Sequence, residues 1–276
     1  MLKGDKIIAI YCIVDDLLKG ISHQEDSRRK VSDSEVITTT LVSALYFGGH
    51  IDNARGFMKM TKLVPEMLDK SRFNRRLHGL NELVFSMFWQ IGHYLKSIAG
   101  AAEYVIDSFP VAVCDNIRIS RCKLLNGEQW RGKQCSMRRY FYGVKVQVLV
   151  TAQGIPVEFC FVPGSESDVQ ALKKLPLAVA AESTIYGDAA YTDYQAEDDM
   201  KDADMIELMI QRKSNAKRKD EPWIKFIKEY MRKGIETAFS EIKALFLRKI
   251  HAVTFKGFLI KLVMFILAFT LNKLTN

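Results

Sequence analysis

Three acidic residues stand where an acid has to be explained. Asp107 interrupts Val105-Ile106-Asp107-Ser108-Phe109-Pro110-Val111, a run whose apolar members ask to be buried, and an ionised carboxylate in such a run is costly unless something positive meets it. Asp188 closes a second apolar run, Thr184-Ile185-Tyr186-Gly187-Asp188, and Glu236 stands in a helical pattern at Gly234-Ile235-Glu236-Thr237. A divalent metal is one partner that justifies acids so placed, because hard cations take carboxylate oxygens and keep several waters. Two such ions, roughly 3.5 to 4 Å apart, can activate an oxygen nucleophile, stabilise a leaving oxygen and offset the charge of a phosphoryl transition state. Phosphodiester chemistry is therefore what this set of residue types would serve.

Helical spacing gives Glu236 independent support. At about 100° per residue, Arg232 and Lys243 both fall within about 40° of Glu236 around the axis, so one face would carry Arg, Glu and Lys together. Ile235, Phe239, Ile242 and Phe246 form the neighbouring apolar stripe. The plainer alternative is an exposed salt bridge from Arg232 to Glu236, which contributes a few tenths of a kcal/mol. Other acids nearby read differently. Asp193 suits a helix N-cap, Asp168 a first helical turn, and Glu241 lies about 140° away from Glu236; Asp115 has no such structural reading.

Charge and composition point to a polyanionic partner. The 276 residues carry 40 Lys and Arg against 32 Asp and Glu, a net charge of +8, and 48% of them are apolar. This is enough for a substantial core, with a basic surface that favours nucleic acid over acidic small molecules. The five cysteines (Cys12, Cys114, Cys122, Cys135, Cys160) are odd in number and include no CxxC pair, so no disulfide framework or zinc knuckle is expected and the compartment is read as reducing. The five histidines, His251 among them, are scattered singly. The apolar run Leu262 to Leu271 is too short to span a bilayer, so a buried helix is expected there and no membrane partner.

The elements that must position these acids fall into two groups. Residues 1–100 read as all-helical: 5–19, a helix after the capping box Ser32-Asp33-Ser34-Glu35, 51–60, 65–70, a basic helix from Ser71, and 81–98. Arg72, Arg75 and Arg76 on this part suggest a helix-turn-helix-like DNA-binding unit. From residue 103 the period becomes two. Strands are expected at 103–113, 140–150, 157–162, 183–187 and 205–210, with helices at 167–181, 194–203, 223–250 and 255–274. The excursion 114–139 carries Arg118, Arg121, Lys123, Arg131, Lys133, Arg138 and Arg139, and 212–219 carries Arg212, Lys213, Lys217, Arg218 and Lys219. Such strips neutralise backbone phosphates without reading sequence. Tyr140, Phe141 and Tyr142 could stack on unpaired bases, though core packing is the commoner fate.

Three antiparallel-compatible strands, then helix, strand, helix, strand, helix, resemble the ribonuclease H-like fold, a mixed α/β class with a five-stranded sheet. The blocks Val105 to Val111, Arg139-Tyr140-Phe141-Tyr142-Gly143-Val144-Lys145, Tyr186-Gly187-Asp188-Ala189-Ala190-Tyr191, and Arg232 through Glu236 to Lys243 resemble those of bacterial insertion-sequence transposases of the DDE class. Val31 to Ile37 and Ser71 to Arg76 are similar to the helical N-terminal part of the same enzymes. Where many relatives carry a Tyr before the Arg, this chain has Glu229, with Tyr230 one residue later.

The resemblance implies a helical DNA-binding domain over 1–100 and a catalytic domain over 101–276. It makes Asp107, Asp188 and Glu236 the catalytic and metal-binding triad, holding two Mg²⁺ or Mn²⁺ ions. Arg232, Lys243, Arg75, Arg76, Arg138, Arg139, Lys145, Arg212 and Lys213 become the DNA-binding residues. The partners it implies are double-stranded DNA, as terminal inverted repeats and target, and further copies of the chain, at least a dimer, in the cytoplasm. The activity implied is metal-dependent cleavage at element ends followed by strand transfer. A nuclease of the same fold without strand transfer and a DNA-binding protein without catalysis are the alternatives.

Overall fold

The computed structural model describes residues 3–134, 138–246, 250 and 252–275, which leaves Cys135 and His251 outside the described residues. Five helices open the chain: α1 (Lys3–Gly20), α2 (Asp33–Tyr46), α3 (Ile51–Met60), α4 (Lys70–Gly79) and α5 (Asn81–Ala99). Strands β1 (Glu103–Cys114), β2 (Arg131–Gln134), β3 (Arg139–Thr151) and β4 (Pro156–Pro163) follow, then α6 (Asp168–Leu172), β5 (Thr184–Gly187), α7 (Tyr194–Asp204), β6 (Glu207–Ile210), α8 (Pro222–Leu245) and α9 (Phe255–Leu274). The chain divides into two compact units, one of residues 1–88 and 244–276, the other of residues 89–243.

In the first unit, local signals set the helix starts. Ser32 Oγ accepts from the Glu35 amide while the Glu35 carboxylate accepts from the Ser32 amide, the reciprocal box read in the sequence. The helix expected over 65–70 is not formed: Pro65 and Glu66 lie in a turn, 67–69 are irregular, and the next helix starts only where the Asp69 carboxylate caps the Arg72 amide. Helix α9 is long and apolar enough to cross a membrane by length and composition, but most of it is buried within the protein. Although the sequence groups it with the catalytic part, α9 packs against α2 and α4. Its apolar residues run right around the axis, as suits a helix covered on several sides.

In the second unit the sheet has the order β2-β3-β1-β5-β6, with β4 also paired to β3. The β1–β3, β2–β3 and β3–β4 pairs are antiparallel, and β1–β5 and β5–β6 are parallel. This is the mixed α/β architecture expected, with six strands among the described residues rather than five. The additional strand, β2, reads Arg-Gly-Lys-Gln and offers no apolar alternation; charged residues on a short edge strand are a common guard against unwanted pairing. Helix α6 ends at Leu172 instead of continuing to residue 181, in keeping with Pro176 downstream. Close approach of β1 and β3 depends on Gly143, where a Cβ would lie 2.1 Å from the Val111 carbonyl oxygen.

The two faces of β1 part company, as strand alternation requires. Tyr104 and Ile106 join Ile185, Leu208, Ile210, Leu172, Leu175 and Tyr191 in the buried core. Val105 and Asp107 face α8. The catalytically suspect acid thus sits on the sheet's α8 side, with its neighbours anchored in the core.

Candidate active site

Register brings the first two acids together. Strands β1 and β5 run parallel with Tyr104 opposite Ile185 and Val105 opposite Tyr186; two residues further along each chain stand Asp107 and Asp188. Adjacent strands lie about 4.8 Å apart, so the offset of the strand pairing alone makes these acids neighbours. Asp107 lies within β1, and its Oδ1 accepts from the Ser108 amide at 2.8 Å. Asp188 falls just beyond β5, where it caps a short helical turn by accepting from the Ala190 amide at 2.8 Å.

Helix α8 supplies the opposite wall. A cleft of about 370 Å³ is lined by Val105 and Asp107 of β1 and by Arg232, Glu236, Phe239 and Lys243 of α8. Ile235, Phe239 and Ile242 are buried, which fixes the rotation of the helix and leaves Glu236 exposed at the edge of the apolar stripe. Lys243 Nζ stands 3.8 Å from Asp107 Oδ2 and about 6 Å from the Phe109 and Phe239 ring centres. Arg232 donates to Gln211 Oε1 at 2.6 Å. Among the described ion pairs Arg232 has none with Glu236, so the intrahelical bridge is not the arrangement found.

The electrostatics of the cleft centre on Asp107. Burial pushes its carboxyl above the usual carboxylate range, and the charge of Asp188 adds to that; Lys243, the Ser108 amide and Arg232 oppose it without cancelling it. The cations present do not offset the cost of burying this carboxylate. The oxygens of Asp107, Asp188 and Glu236 do not all lie within 4.8 Å of one another, since His23, Glu25 and Asp33 are the described group that meets that spacing. Two ions held about 4 Å apart do not ask for that closeness. Three hard-oxygen donors, one of them electrostatically undercompensated, fit a divalent cation.

The cations singled out by sequence separate into three sets. Arg232 and Lys243 line the cleft. Arg75, Arg138, Arg139 and Lys213 are exposed. Arg76, by contrast, is engaged by Asp33 and Glu25, and Arg212 is held by Glu197 and lies over the Tyr194 ring. The ammonium group of Lys145 donates to the Glu166 carbonyl at 2.7 Å and reaches Asp168 at 3.3 Å. These last three have carboxylate partners already and are held within the fold.

Sequence reading passed over one group beside the site. Asp168, taken as a first-turn acid, does start α6, but its Oδ1 also accepts from Ser108 Oγ at 2.9 Å and from Gln147 Nε2 at 2.9 Å. The available signal was Gln147, an amide set among Val144, Val146, Val148 and Val150 and fully buried here, which had to find partners inside. Asp193 caps α7 as expected.

Comparison with curated proteins and with solved structures gives no match. A family model does match, described as a transposase DDE domain, over residues 99–252, more than half of the chain and the whole stretch that holds the cleft. The fold and this match together place the chain in the DDE transposase family, whose members act on DNA with a divalent metal.

Proposed function

We propose that this chain cleaves DNA at the ends of an insertion-sequence element and joins the freed ends to target DNA, with Asp107, Asp188 and Glu236 as the catalytic triad. The observation that carries the reading is the cleft itself: Asp107 of β1 faces Glu236 of α8 across it, Arg232 and Lys243 flank both, and Asp188 lies in register beside Asp107. The three carboxylates would hold two Mg²⁺ or Mn²⁺ ions, which when bound supply activation of the attacking oxygen and charge neutralisation of the phosphoryl group. In hydrolysis a water oxygen bonds to phosphorus and the 3′-oxygen of the element end leaves as a hydroxyl. In joining, that hydroxyl attacks a target phosphodiester, one P–O bond forming as another breaks, so no external energy source is needed.

The chain's own residues orient the substrate. Lys243 and Arg232 project cations into the cleft where a phosphate would enter, and the 45% exposed Lys243 side chain has room to turn from Asp107 to a phosphate oxygen. Arg138, Arg139, Lys213 and the 58% exposed Tyr140 offer further contacts to the backbone and to unpaired bases. In the helical unit a cavity of about 560 Å³ is lined by Arg29, Arg72, Arg75 and Arg76; Arg29 and Arg76 are paired with Asp33, and the exposed Arg72 and Arg75 would face phosphate. The working form in this reading is a cytoplasmic homo-oligomer, at least a dimer, bridging two ends.

The test is to incubate the purified protein with Mg²⁺ or Mn²⁺, DNA carrying the sequences that flank its gene, pre-nicked to expose the 3′-hydroxyl, and a supercoiled plasmid. Joined product is expected. Cleavage with no joining would assign the nuclease alternative, and DNA binding with neither reaction would assign the non-catalytic one.

A further inference from the structure

Behind the cleft, on the other face of β1, lies a second polar group that the proposed reaction does not use. Ser108 follows Asp107 and therefore points away from it. Its hydroxyl donates to Asp168 Oδ1 at 2.9 Å, and the same oxygen accepts from Gln147 Nε2 at 2.9 Å and from Lys145 Nζ at 3.3 Å. Gln147 sits directly across from Ser108 in the β1–β3 pairing. Its remaining amide atom, Oε1, accepts from the Tyr191 hydroxyl.

Tyr191 is the informative member. It ends the short turn, Ala189–Tyr191, that Asp188 caps, and its amide donates to the Asp188 carbonyl at 3.1 Å, so a residue bonded to Asp188 is linked through Gln147 to the strand pair that holds Asp107. The ring is 1% exposed and Gln147 is fully buried. The Tyr191 hydroxyl is the donor to Gln147 Oε1, and the Tyr191 amide the donor to the Asp188 carbonyl. A buried polar chain with its partners satisfied rigidifies the elements it joins.

We infer that Tyr191, Gln147, Asp168 and Ser108 form a positioning network that sets the separation of Asp107 and Asp188, with Tyr191 the link between the two acid-bearing segments. The inference rests on the reading that those two aspartates hold a metal ion. Residues that orient metal ligands from behind typically cost about 10- to 100-fold in affinity when lost.

The experiment is a Mn²⁺ titration of the full-length, metal-free protein followed by electron paramagnetic resonance, with a melting curve for each variant. Asp107→Asn tests the underlying reading, Tyr191→Phe and Ser108→Ala test the network, and Val157→Ala, a buried core position on β4, reports what stability loss alone does. Asp107→Asn is expected to abolish tight Mn²⁺ binding, Tyr191→Phe to weaken it about tenfold, and Ser108→Ala to weaken it by a smaller factor. Val157→Ala is expected to lower the melting temperature and leave Mn²⁺ affinity as in the wild type. If Asp107→Asn binds Mn²⁺ as the wild type does, the metal reading falls and the network inference with it. If Asp107→Asn loses binding while Tyr191→Phe matches the wild type, or falls no further than Val157→Ala, the network inference alone is overturned. Should Tyr191→Phe fail to fold, Ser108→Ala decides by the same criterion.

Discussion

Two acidic clusters invite comparison, and the tighter of them already has its cations. In the helical unit, His23, Glu25 and Asp33 bring their ligand atoms within 4.8 Å of one another. Yet Arg76 bonds both Asp33 and Glu25, Arg29 reaches Asp33 at 3.1 Å, and His23 Nε2 lies 2.8 Å from Asp33. A cation entering there would have to displace two guanidinium groups from carboxylates that already have their partners. In the sheet-bearing unit Asp107, Asp188 and Glu236 are spread more widely, but the nearest positive group stands 3.8 Å from Asp107 and leaves its carboxyl above the usual range. Charge balance, and not crowding of ligands, separates a structural knot from a site with room for an ion.

The largest effect should come from exchanging roles across that comparison. Asp107→Asn, Asp188→Asn and Glu236→Gln are each expected to reduce end cleavage by well over 100-fold, since loss of supporting residues alone costs about 10- to 100-fold. Asp33→Asn should leave the Mn²⁺ dependence of the reaction unchanged. Rates measured against Mn²⁺ concentration check both halves; a shifted metal requirement in Asp33→Asn would erase the distinction.

On stability the order reverses. Asp33 is 1% exposed, and removing one partner from a buried ion pair costs about 3 to 5 kcal/mol because the other charges are stranded. Asp33→Ala is expected near the lower bound, about 3 kcal/mol, as Arg29 and His23 can turn to solvent. Denaturant unfolding would read it directly.

Lys243 sharpens the electrostatic side. It is the strongest influence holding the Asp107 carboxyl down against burial. Lys243→Gln should therefore let that carboxyl rise further, and the acid limb of the pH–rate profile for end cleavage should move to higher pH. The measurement is kcat/KM against pH at Mn²⁺ well below saturation, where protons compete with the ion for Asp107, and an unmoved limb would mean that Lys243 acts on phosphate alone.

Much of this arrangement was legible in the chain, for identifiable reasons. An acid in the middle of Val-Ile-x-Ser-Phe has few explanations, and the separation of Asp107 from Asp188 equals the offset of the β1–β5 pairing, so spacing along the chain encoded spacing across the sheet. The rotation of α8 followed from Ile235, Phe239 and Ile242. What was not legible depends on partners remote in sequence. Arg76, Arg212 and Lys145 looked like free cations because Asp33, Glu197 and Asp168, which hold them, are brought in by tertiary packing. Asp168 looked like a helix-start acid because a cap is a local signal and a hydrogen bond to Ser108, sixty residues away, is not. Strand β2 was missed because its pairing with β3, and not an apolar pattern of its own, makes it a strand.

The smallest effect is the most specific to an undercompensated site. A carboxyl whose folded-state value lies above its unfolded one binds its proton more tightly in the native protein, so native stability falls as pH rises from the unfolded value through the folded one. Asp107 is such a group, raised chiefly by burial and further by Asp188. At neutral pH its charge works against the metal-free fold, and Asp107→Asn, which keeps the shape and removes the charge, should raise the melting temperature of the metal-free protein by about 2 °C. The gain should vanish at acid pH, where the wild-type carboxyl is protonated too. Added Mn²⁺ should reverse the order at neutral pH, because an ion bound only by the folded wild type stabilises it by about 2.7 kcal/mol at 100 times its dissociation constant. A variant that is more stable without metal and less stable with it is what a carboxylate kept for a cation predicts, and Asp33→Asn, whose carboxylate serves arginines, should be destabilised to the same extent with and without Mn²⁺.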